Sequence, residues 1–96
     1  MTLHDSCMAN RIVMRLSRLV SEFDELNHSI GIWEIRLSKT TAYPKRFKNP
    51  IIEREQVFRF ETREELAAYI ETLRARQHEI SLEMNEEVRE LAINRR

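Results

Sequence analysis

From Arg63 to Arg96 the chain runs without a glycine or proline, and Leu66, Ile70, Leu73, Gln77, Ile80, Met84, Val88 and Leu91 recur there at steps of three and four. That spacing places the side chains on one helical face and predicts a helix over 63–94. Its start is written in "FETREEL". The Thr62 hydroxyl can accept from the amide of Glu65 while the Glu65 carboxylate reaches back to the amide of Thr62, a capping box that satisfies donors left open at a helix start. At ~1.5 Å per residue the helix reaches ~45 Å, longer than any other element predicted for the chain.

The N-terminal half carries a second repeat of the same kind.

 Ala9, Ile12, Leu16, Leu19, Phe23 and Leu26, widened by Met8 and Val20, predict a helix over 8–27 that follows a loose tail at 1–7. Ser29 and Gly31, the only glycine, mark its expected stop. In "IGIWEIRLS" Ile30, Ile32, Glu34 and Arg36 alternate with Trp33, Ile35 and Leu37, which predicts a strand with the latter three turned inward. "IIEREQVFRF", Ile51 to Phe60, supplies a second extended run, so the expectation for 30–60 is a hairpin with a long basic loop. The fold class expected is α+β: a single domain over 1–96 in the order α-β-β-α.

A first helix of ~30 Å leaves the end of the ~45 Å helix overhanging its own subunit. The overhanging apolar stripe, together with the open edges of a two-stranded sheet, predicts a homodimer. Its candidate interface is Ile80, Met84, Val88 and Leu91. The rival is a monomer in which the long helix packs back on the first as an antiparallel pair.

Sixteen basic and sixteen acidic residues cancel, so no basic excess points to nucleic acid and no acidic excess points to a DNA mimic. The charge is nevertheless uneven. From Arg11 to Lys48 there are eight cations and four anions, and from Glu53 to Arg96 eight cations and eleven anions. In "SKTTAYPKRFKNP", Lys39, Lys45, Arg46 and Lys48 lie beside Tyr43 and Phe47 with no acid among them. With Arg36 they form a candidate partner-binding stretch, because cations and aromatic rings suit both protein contacts and single-stranded nucleic acid. Arg11, Arg15 and Arg18 share one face of the first helix and form a second candidate basic face. The plain alternative is a protective loop whose prolines and lysines discourage further strand pairing.

The usual constellations of catalysis are missing from the sequence. His4 to Cys7, "HDSC", holds the residue types of a triad, but neighbours in a tail cannot converge on one point. Glu25 and His28 make one Glu-x-x-His pair where a bundle metal site needs several. Glu79, Glu83, Glu86, Glu87 and Glu90 form a line down a helix and not a cage, and one glycine cannot build a phosphate loop. No catalytic, cofactor-binding or metal-binding residue is expected. No apolar run approaches the ~20 residues that span a bilayer, and the lone Cys7 cannot form an internal disulfide. The expectation is a cytoplasmic protein that acts without chemistry or membrane: an interaction module such as an adaptor, inhibitor or regulatory subunit. The alternative is a nucleic-acid-binding regulator that uses the basic loop and the arginine face.

Overall fold

The computed structural model describes residues 3–40 and 49–94, with side chains over 8–40 and 49–93. Two helices, α1 at Leu3–Lys39 and α2 at Arg63–Asn94, enclose a two-stranded antiparallel sheet of β1 at Ile51–Glu53 and β2 at Gln56–Phe58. The α-β-β-α order expected from the sequence holds, but the first strand lies elsewhere. Residues 30–37 continue α1, and "IIEREQVFRF" holds both strands of the hairpin.

Helix wins over strand at 30–37 because the three-four step that begins at Ala9 continues through Ile30, Trp33 and Leu37 without a break. On a helix these three share the face of Ile12 and Leu19, whereas Ile35 points away and is more than half exposed. Gly31 sits mid-helix, where it costs ~1 kcal/mol relative to alanine. Burying Trp33, at 3% exposure, and Ile30 offsets that cost. The tail expected at 1–7 is likewise helical from Leu3.

The hairpin has a two-residue turn, not a long loop. Arg54 and Glu55 occupy it at φ 49° and 65°, the left-handed pair that suits a tight antiparallel connection. Ile51 pairs with Phe58, Ile52 with Val57 and Glu53 with Gln56. Ile51 and Phe58 turn inward, while Ile52 and Val57 face water. The proline-bearing stretch therefore connects α1 to β1.

At α2 the cap forms with one change of partner. The amide of Glu65 donates to Thr62 Oγ1 at 3.2 Å as expected, but Glu65 Oε2 accepts from the amide of Glu61, at 2.7 Å, and not from that of Thr62. Arg63 Nε donates to the Thr40 carbonyl at 3.2 Å and ties the start of α2 to the end of α1.

The helices pack antiparallel, and the molecule measures 63 × 22 × 16 Å. At the hairpin end Ile30, Trp33, Leu66 and Ile70 form the core, and Leu37, Ile51, Phe58, Phe60, Tyr69 and Leu73 close over it. Trp33 meets Phe58, Phe60 and Tyr69 edge to face, with centroids 4.8, 5.5 and 5.6 Å away. Such pairs contribute ~0.5–1.5 kcal/mol each beyond the area they bury. Towards the open end Ile12, Leu19 and Ile80 carry the packing. With 37 residues in α1 and 32 in α2, the overhang expected from the sequence disappears, and the fold-back arrangement is the one observed.

Candidate interaction surface

Both helices keep a heptad repeat. In α1, d falls at Ile12, Leu19, Leu26 and Trp33 and a at Leu16, Phe23, Ile30 and Leu37. In α2, d falls at Leu66, Leu73, Ile80 and Glu87 and a at Ile70, Gln77, Met84 and Leu91. The a and d residues fill the seam between the helices, leaving two flanks, one lined by e positions and the other by g positions.

The g flank is covered along its length. At the hairpin end the sheet lies over it: Arg36 donates to Glu53 on β1, and Tyr69 joins the aromatic cluster. Ser29, Ile32, Trp33, Glu53, Arg54 and Phe58 border a cleft of about 180 Å³ there. Further along, Arg76 pairs with Glu22 at 2.9 Å and with Glu79 and Glu83 at 3.4 and 3.8 Å, and Arg15 pairs with Glu87 at 3.1 Å. The Arg76 guanidinium is held above its ordinary pKa, first by its hydrogen bond to Glu22. Arg15 of the basic face and Glu83 and Glu87 of the acidic stripe thus border one seam. Glu87 occupies a d position, and its Oε2 is buried without a partner among the described residues.

The e flank is different. At the hairpin end it carries Glu34 paired with Arg74, then Asn27 accepting from Gln77 at 3.4 Å. The hydrogen bond to Glu34 holds the Arg74 guanidinium above its ordinary pKa. Towards the open end the e positions become Val13 and Val20 on α1 and Val88 on α2, exposed by 50%, 47% and 54%. The neighbouring b positions are Asn10, Ser17, Asn85 and Ala92, with Asp24, four residues from Val20, the one charged b residue beside them.

The residues singled out by sequence reasoning are distributed unevenly over these surfaces. Ile80 is fully buried against α1 and cannot serve as an exposed interface; Met84 and Leu91 are half-buried in the seam, and only Val88 is open. Arg36 is engaged by Glu53, and Lys39 is exposed in the last turn of α1. Tyr43, Lys45, Arg46, Phe47 and Lys48 lie outside the described residues. Arg11 and Arg18 form no ion pair among the described residues, unlike Arg15. Sequence reasoning missed Val13, and it used Val20 only to widen a stripe. The available signal was the run of apolar e positions beside the a and d pairs.

Among the described residues no three His, Cys, Asp or Glu side chains are grouped to hold a metal ion, and no helix is long and apolar enough to cross a membrane. No protein-family model, curated protein or solved structure matches the chain.

Proposed function

We propose that the chain is a protein-interaction module that works by presenting a helical surface and not by chemistry. The carrying observation is the contrast between flanks: one is covered by the hairpin and ion pairs, while the other leaves Val13, Val20 and Val88 in water. A two-helix hairpin has no further layer to cover that second flank. The lone Cys7 fits a cytoplasmic, reducing location. Engagement of Arg15 and Arg36 by carboxylates leaves fewer cations for phosphate, which favours a protein surface over nucleic acid as the partner.

The test is capture on the immobilised chain from native lysate to which a tagged second copy has been added, with and without nuclease. The expected result is nuclease-resistant retention of the tagged copy or another protein, lost when Val20→Glu and Val88→Glu are combined. Retention that disappears with nuclease, or with Lys45→Ala, Arg46→Ala and Lys48→Ala together, would replace this reading with nucleic-acid binding.

A further inference from the structure

We infer that the occupant of the e flank is a second copy of this chain, set side by side with the first in a four-helix bundle. The inference rests on the interaction-module reading and names its partner. The first support is area. The chain exposes 7689 Å², whereas a compact monomer of its 11.6 kDa exposes roughly 5,800 Å². The difference exceeds the ~800 Å² per partner that a standard interface buries.

The second support is the heptad pattern. A helix that faces a single partner needs apolar a and d positions, and one inside a bundle needs e or g as well. In the open half of α1, a, d and e are all apolar from Ala9 to Leu26, and on α2 the e positions there are Ser81 and Val88. At the hairpin end, where the sheet already supplies a further layer, e becomes Asn27 and Glu34.

The third support is complementarity. Glu34 pairs with Arg74, and Val20 and Val88 follow as an opposed pair two heptads further along. A two-fold axis parallel to the helices sets α1 of one copy beside α2 of the other, so that each layer meets its own reverse. Valines meet valines, Asn27 meets the second copy's Ser81, and Glu34 meets the second copy's Arg74. With the copies overlapping along their full length, a two-fold axis perpendicular to the helices would press the valines of one copy against the Glu34 and Arg74 layer of the other and strip charges of water without new partners. The parallel axis is therefore the one assigned.

The experiment is light scattering after size exclusion with reductant present, from ~1 to 100 µM, on the full chain and two variants. The parent should give twice 11.6 kDa. Val20→Glu with Val88→Glu should give the single-chain mass at unchanged helical ellipticity, its dissociation constant raised by about two orders of magnitude or more because four carboxylates lose water on assembly. Met14→Glu, on the outer face at 73% exposure, should remain dimeric and shows that an added charge alone does not disperse the pair. A parent of single-chain mass throughout, or a Val20→Glu, Val88→Glu variant that stays dimeric, overturns the inference. If the parent is monomeric but the valine variant loses a nuclease-resistant protein in the capture experiment, the flank belongs to another protein and the interaction-module reading survives. If neither binds anything, both readings fall.

Discussion

At the scale of single residues, two positions carry backbone cost without an evident structural return. A β-carbon added at Gly31 would meet nothing within 4 Å, and its φ lies outside the left-handed region. Gly31→Ala should therefore raise stability by ~1 kcal/mol through the lower entropy of the unfolded chain and better helix propensity. An unchanged urea midpoint at equal m would show that the helix is broken there. The turn is the second position. Arg54 and Glu55 stand at positive φ where asparagine and glycine are preferred, and each such residue costs of order 1 kcal/mol. Arg54→Asn with Glu55→Gly should raise the midpoint by an equivalent of ~1–2 kcal/mol and leave helical ellipticity unchanged. A loss of stability would mean that the turn side chains contribute contacts outweighing their strain.

At the scale of elements, the sequence was clear where one periodicity stood alone and misleading where two overlapped. From Leu66 to Leu91 only the three-four step fits, and α2 begins at Arg63 as read from the capping box. From Ile30 to Leu37 the residues also alternate, and a glycine among isoleucines inclined the reading to a strand. Pairing with α2 decides the matter, because it buries Ile30 and Trp33 together, and no local propensity records that pairing. The same long-range contact explains Ile80, which reads as a spare interface residue only if α1 is short. Polar residues in the seam remain legible as exceptions. Glu87 sits at a d position with one oxygen buried and without a partner among the described residues. Glu87→Leu should stabilise the hairpin by ~1–2 kcal/mol, since it replaces a mostly buried carboxylate with apolar surface and returns Arg15, already half exposed, to water. Destabilisation would show that the ion pair contributes more than leucine packing and that the polar layer fixes the register.

At the scale of the whole molecule, shape separates this fold from the short-helix arrangement first expected. A compact chain of 96 residues has a radius of gyration of ~12.5 Å, and the value here is 19.1 Å. The length comes from α1, whose 37 residues extend ~56 Å at about 1.5 Å each. Side-by-side association adds width and leaves length almost unchanged, because the two-fold axis runs along the helices. Copies overlapping only by their open halves would instead approach ~100 Å, since two 63 Å rods would share only the ~25 Å or so between the valine layers and the open ends. Small-angle X-ray scattering on the dimeric fraction should therefore give twice the chain mass with a maximum dimension near 63 Å. A doubled mass with a dimension near ~100 Å would move the two-fold axis across the helices and off the Val20 and Val88 layer, overturning the side-by-side arrangement. That result would leave Glu34 and Arg74 facing solvent in both copies, so Glu34→Ala would then not affect the dimer, whereas in the side-by-side bundle it should weaken it.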